Sequence, residues 1–367
     1  MKCARPLCGL NRPLDRKLAG WMIAAGLLFL LPYLVCGPHP RLETFSFAVD
    51  TAAAGGHTVV TLLRSGPQPI VAKIAPDAGA NLFSLEFAGV QLLESPAALD
   101  SFDGSSRGVP VLYPTPCRVP EGRFMFAGRE FNFVRNRAGN HIHGLVRDVP
   151  WQWETPSADS SGVRLHTWID FTAGTDRYRQ FGIDHRLELE YVVDREGVRI
   201  EYRVTNRDST SLPFGLGFHA YWNYPGDRRE VWLTVPADRR MLMENLIPTG
   251  GLAPVAGTQY DLTSPVRVAD LAVDDIWYGL TPETPAVVEW RDSGVRLTLA
   301  ASYKFGHLIV YDLPQNDFFC VENLTASPDA HNLYAKGFEK ESGLIVVPPG
   351  GESRGWVRYA LEKISRK

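Results

Sequence analysis

From about residue 42 onward, apolar side chains recur at every second position. Val198, Ile200, Tyr202 and Val204 alternate with Arg199, Glu201 and Arg203. Just upstream, Ile183, His185, Leu187, Leu189 and Tyr191 alternate with Asp184, Arg186, Glu188 and Glu190. Successive strand residues point to opposite faces, so this spacing predicts strands with one buried and one wet face. Asp194 to Gly197 supplies turn chemistry between the two runs, which predicts a β-hairpin. Val163, Leu165, Thr167, Ile169 and Phe171 repeat the alternation, as do Val295, Leu297 and Leu299. Phe124 and Phe126, then Phe131 and Phe133, flank Ala127-Gly128 as a second hairpin. No long window of the body has a 3.6-residue period, and no repeat or low-complexity linker divides it. The pattern predicts an all-β body, one large antiparallel β-sandwich of stacked sheets.

The N-terminal 41 residues read differently. Lys2, Arg5, Arg12, Arg16 and Lys17 stand against a single acid, Asp15, before an uncharged stretch from Leu18 to Pro40 whose strongly apolar part runs from Trp21 to Val35. A basic flank followed by an apolar run is the layout of a signal peptide or signal anchor. About 20 apolar residues cross a bilayer, so residues 18–37 are long enough for a marginal membrane attachment. The small tract Ala52–Ala54 lies far from the apolar run for a cleavage site, and bulky Val35 argues against a lipid-modified Cys36. The expected division is a leader at 1–41 and one domain at 42–367. Basic residues on the inner side would put that domain outside the cytoplasm, anchored or exported; a downstream start would leave it cytoplasmic.

Composition narrows the function. The chain has 367 residues, 45% hydrophobic and 22% charged, with a net charge of -3, which suits a large core and argues against nucleic acid as a partner. Of the five cysteines, three fall in or before the apolar segment. Cys117 and Cys320 remain in the body, and spacing does not say whether they pair. No C-x-x-C spacing supports a zinc ribbon or a redox motif.

Five places combine ionisable residues with aromatics or glycine. Arg118, between Cys117 and Val119, could clamp a hydroxyl or carboxylate, or form a surface ion pair. His141 and His143 would share a strand face, as a metal site requires, although no third ligand stands close by; His143 beside Gly144 otherwise suits a ligand hydrogen bond. His219, among Phe218, Tyr221 and Trp222, matches a sugar site, where aromatic faces pack on the C–H side of a pyranose; the alternative is a core cluster. Asp274-Asp275 before Trp277 could bind hydroxyls or form an exposed turn. Glu322 follows the apolar Phe318–Val321 and needs a partner or a purpose, because burying a lone carboxylate is costly. Cys320 should share its face.

Taken together and in order, Asn140-x-Ile142-His143-Gly144, His219-x-Tyr221-Trp222-Asn223 and Cys320-x-Glu322 resemble the aldose 1-epimerase (galactose mutarotase) superfamily over roughly residues 60 to 365. Asn245…Pro248-Thr249-Gly250 and Pro348-Pro349-Gly350 add to the match. The resemblance implies a galactose mutarotase-like sandwich that interconverts the anomers of a small-molecule sugar with no cofactor and no metal. It implies Glu322 as general base, His219 as general acid on the opposite side of the sugar, and His143, Arg118 and Asp274 as substrate-binding residues. Asp274 is preferred to Asp275 because it stands three residues before an aromatic. Cys117 replaces the family's usual asparagine, and Gly144-Leu145 its usual glycine pair. Two other functions stay open. A hexose 6-phosphate mutarotase would require Arg118, Arg123, Arg129 and Arg147 to converge, and a non-catalytic carbohydrate-binding sandwich would have no need of both Glu322 and His219.

Overall fold

A computed structural model describes residues 44–365. The leader and its apolar run lie outside the described residues, and among the described residues no helix is long and apolar enough to cross a membrane. The predicted antiparallel sandwich is present. Its largest layer is a ten-stranded sheet in which Gly162–Phe171, His185–Val193, Gly197–Asn206, Glu352–Lys363, Val295–Ala301 and Ala286–Trp290 are consecutive neighbours. The predicted hairpin lies within it, with Val193 opposite Val198. Asp194 closes the turn by accepting the amides of Glu196 and Gly197 at 2.9 and 3.1 Å. Phe124 and Phe131 likewise face each other, stacked at 4.7 Å, across a two-residue turn in which Ala127 and Gly128 both have positive φ. Such a turn matches the twist of its strands.

The second layer is an eight-stranded sheet in which Val273–Tyr278, His307–Asp312, Phe318–Leu324 and Gly217–Phe218 are neighbours; Tyr221–Asn223 also pairs with Phe318–Leu324. One face carries Trp277, Leu308, Val310, Phe319 and Val321 into the main core. There Trp222 meets Tyr359 of the larger sheet edge-on at 5.3 Å, and Phe319 meets Trp290 at 6.3 Å. Period-two alternation turns the other residues of these strands to the opposite face. A five-stranded meander from Ser46–Ala54 to Val90–Gln91 completes the body, and the helices described are short: Asp176–Phe181, Ala330–Ala335 and Glu339–Ser342.

Several histidines belong to the packing. His307 is buried, with its Nε2 2.8 Å from the Glu341 carbonyl, and burial pulls its imidazole down to about 4. The unfolded chain therefore takes up a proton below about 6.5 that the folded chain refuses, so this residue's contribution weakens as pH falls from there toward 4. His307→Gln removes that term. Its stability deficit against the wild type should shrink by roughly 2 kcal/mol between pH 7 and pH 5, measured by urea unfolding at both pH values.

Candidate active site

The face of the eight-stranded sheet turned away from the main core carries the chemistry. Register places Asp274 opposite Tyr311, Tyr311 opposite Cys320, and Cys320 opposite Tyr221. The next row on that face runs from Ile276 through Ile309 to Glu322. His219 sits between Gly217–Phe218 and Tyr221–Asn223, anchored by its amide on the Pro110 carbonyl at 3.0 Å. All of these but Cys320 and Ile276 open onto a cavity of about 400 Å³ lined also by Cys117, Arg118, Arg137, Ile142, His143, Leu313 and Phe318. That volume falls in the range of small-molecule sites.

His219 and Glu322 meet at one wall. Nδ1 lies 3.3 Å from Oε1, and the imidazole stacks flat on Tyr221 at 4.5 Å. The contact is not aligned as a hydrogen bond, so His219 Nδ1 and Glu322 Oε2 are both buried without a partner. Unsatisfied buried polar atoms are rare and call for a ligand or a reactive role. The two groups are side by side, where the sequence suggested opposite sides of a sugar. The reason is geometric: His219 is on the chain that flanks Glu322's own strand.

His143 arrives by a route that the sequence did not foretell. Arg118–Val119 pairs with His141–Ile142, but His143 has φ +68°, so the extended chain ends there. The two histidines therefore do not share a face, and the pairing expected for a metal is overturned. His141 turns its Nδ1 to the Val134 carbonyl at 2.8 Å. His143 sets its Nδ1 3.1 Å from the Pro116 carbonyl and its ring edge-on to His219 at 5.2 Å. A carbonyl only accepts, so Nδ1 carries the proton and Nε2 is left as an acceptor. Gly144 also serves a purpose other than the one expected. At φ +71°, its absent Cβ would lie 2.1 Å from the Tyr113 carbonyl, so the close approach it permits is to the protein's own backbone.

The remaining expectations divide by strand parity. Asp274 lines the cavity, while Asp275 points the other way and bonds Arg240 at 2.9 Å. Tyr221 stays beside His219, but Phe218 and Trp222 enter the core and offer no face to a ligand. The aromatic wall is instead Tyr221, Tyr311 and Phe318, with Phe318 edge-on to Tyr221 at 4.9 Å. Phe318, Cys320 and Glu322 are spaced by two, a signal that could have found this wall. Arg137, in a polar loop, had no such signal. Of the four arginines considered for a phosphate, only Arg118 lines the cavity; Arg129 donates to the Gly182 carbonyl and Arg147 to the Ser105 carbonyl. Cys117 and Cys320 are free buried thiols.

Burial sets the electrostatics. It pulls the His219 imidazole down to about 3, helped by Arg147, and holds His143 well below its ordinary value. It pushes Glu322 well above the usual carboxylate range, with Asp274 adding to the rise and Arg118 opposing it. Asp274 is raised by burial against the same arginine. Donor atoms of His219, Cys320 and Glu322 lie within 4.8 Å of one another, a set that could hold a soft divalent ion.

The sequence pattern of the aldose 1-epimerase family fits residues 69–360. The chain belongs to the aldose 1-epimerase family. Among curated relatives, galactose mutarotase of Rattus norvegicus is 31% identical over 156 residues, 41% of this chain and 44% of that protein. Maltose epimerase of Levilactobacillus brevis is 27% identical over 162 residues, 42% of this chain and 46% of that protein. The chain thus spans less than half the length of these two curated relatives. A galactose mutarotase-like protein of Clostridium acetobutylicum shares the fold, with a TM-score of 0.78 at 22% identity, covering 87% of this chain and 99% of that one.

Within this aldose 1-epimerase family member, Gly144 is the residue on which the placement of His143 depends. Gly144→Ala should lower stability by about 1–3 kcal/mol through the strained backbone alone, before the clash with Tyr113 is counted. Thermal unfolding of the variant against the wild type would check this.

Proposed function

We propose that the protein interconverts the α and β anomers of a sugar by general acid–base ring opening and closure. The observation that carries this reading is the buried contact between His219 and Glu322 at the cavity wall, with a partnerless polar atom on each. The anomeric hydroxyl oxygen and the ring oxygen are bonded to the same carbon, so a base and an acid that serve both belong next to each other.

In the forward direction the Glu322 carboxylate takes the proton of the anomeric hydroxyl. The C1–O5 bond breaks as His219 delivers a proton to the ring oxygen. The product is the open-chain aldehyde, with a neutral Glu322 and a neutral His219. Rotation about C1–C2 presents the other face of the carbonyl, and closure returns both protons by the same path. His143, Arg118 and Asp274 line the same cavity and would hold the other hydroxyls. Protons alone are exchanged.

Burial favours a neutral acid beside a neutral imidazole, whereas the first step uses the ionised pair. Both arrangements hold one proton in total, so the pair converts between them without exchange with solvent. A bound sugar favours the reactive arrangement: its hydroxyl donates to the carboxylate and its ring oxygen accepts from the imidazolium. The names of the curated relatives point to different sugars, so sugar identity is not carried over from them.

Glu322→Gln and His219→Gln should each lower kcat by about 10²- to 10⁴-fold, the usual worth of one acid–base group. Polarimetry on freshly dissolved single anomers of neutral and anionic sugars measures this, and a wild-type rate equal to buffer on all of them would end the proposal. The pH profile gives a separate test. Burial lowers the imidazole to about 3 and raises the carboxyl, so His219 does not titrate near its ordinary value. The expected kcat/KM is flat across about pH 6.5, where an ordinary histidine would produce an inflection.

A further inference from the structure

Two guanidiniums line the cavity, and neither side chain enters a hydrogen bond or ion pair among the described residues. Arg118 is half-buried and faces Asp274 and Glu322 only through space. Arg137 is exposed at the rim, yet its backbone is fixed. It opens a tight turn closed by Arg137 N to Asn140 O at 3.1 Å and Asn140 N to Arg137 O at 2.9 Å. The preceding Asn136 bonds both the amide and the carbonyl of Ile142, at 2.8 and 3.0 Å. The turn is thereby stapled to the strand that delivers His143. Nearby arginines are engaged elsewhere: Arg129 on the Phe181 and Gly182 carbonyls, Arg147 on the Ser105 carbonyl.

The charges in the cavity do not balance. His219 and Glu322 together carry no net charge in either arrangement, and His143 is held neutral. Asp274 supplies at most one negative charge against two permanent positive ones. Arg137 is exposed, so water and salt compensate its charge in the open cavity, and an anionic group on a substrate can take their place. The anomeric end of a substrate is committed to His219 and Glu322, so a compensating anion belongs on a carbon remote from C1.

We infer that Arg137, supported by Arg118, forms an anion subsite and that the substrate is a sugar bearing a carboxylate or phosphate away from its anomeric carbon. The inference rests on the mutarotase reading for its catalytic consequence but not for binding. Arg137 acts here in specificity and takes no part in the proton transfers.

Anomer exchange can be followed at equilibrium by two-dimensional NMR of the anomeric protons, comparing galacturonate with galactose and glucose 6-phosphate with glucose. At low salt, KM for at least one anionic sugar should lie about tenfold or more below that of its neutral counterpart, the size of one good charge-assisted contact. The gap should narrow with added salt and largely close in Arg137→Ala. A preference for galacturonate alone identifies a carboxylate, and one for glucose 6-phosphate alone a phosphate. Equal or better use of the neutral sugars, or a gap that survives in Arg137→Ala, overturns the subsite. Calorimetric titration with the same four sugars separates the two claims. If no sugar is turned over but the Arg137-dependent gap in binding persists, the mutarotase reading fails and the subsite stands. If binding shows no gap, the subsite is overturned whatever the activity.

Discussion

Everything at the cavity follows from one constraint: an ionisable carboxyl, Glu322, is held almost fully out of water without a cation bonded to it. Its companion within reach is an imidazole that burial makes equally averse to charge. A salt bridge with arginine would have fixed Glu322 as a permanent anion, stable and unreactive. Against His219, the same burial holds the shared proton on the carboxyl when no sugar is bound. Opposed shifts of this kind in two touching groups mark a site suited to acid–base chemistry.

The sheet supplies the rigidity that makes such burial tolerable. Glu322 lies in the middle of the strand Phe318–Leu324, paired to His307–Asp312 on one side and to the strands flanking His219 on the other. The reverse of the same strand contributes Phe319 and Val321 to the core. This wall of the cavity therefore cannot relax toward water without disturbing the sandwich. Loops complete the cavity from outside the sheet. The positive φ of His143, the close contact of Gly144 with Tyr113 and the stapled turn at Arg137 each bring in a group that no straight strand could deliver.

Chain parity explains why some expectations held and others failed. Alternation along Val273–Tyr278 separates Asp274 from Asp275, and alternation along Phe318–Leu324 keeps Cys320 with Glu322. Both relations are local and follow from the two-residue period of a strand. The same rule sent His141 and His143 to one face, and it failed because it presumes an extended backbone that ends at His143. The aromatics around His219 were open to two readings, a sugar site or a core cluster; alternation gives Tyr221 to the cavity and Phe218 and Trp222 to the core.

By itself the sequence determined the layer type, the hairpins with their turns, the residues that share a strand face and the family pattern that runs through them. Each of these depends on neighbours a few positions apart, or on motifs preserved in order. Tertiary structure alone decided that residues 219 and 322 touch at one wall, that Arg137 joins Arg118 at the cavity while Arg129 and Arg147 do not, and that burial lowers the imidazole while raising the carboxyl. Those outcomes arise from strand order within the sheet and from the exclusion of water by distant segments, and neither is written in the spacing of residues along the chain.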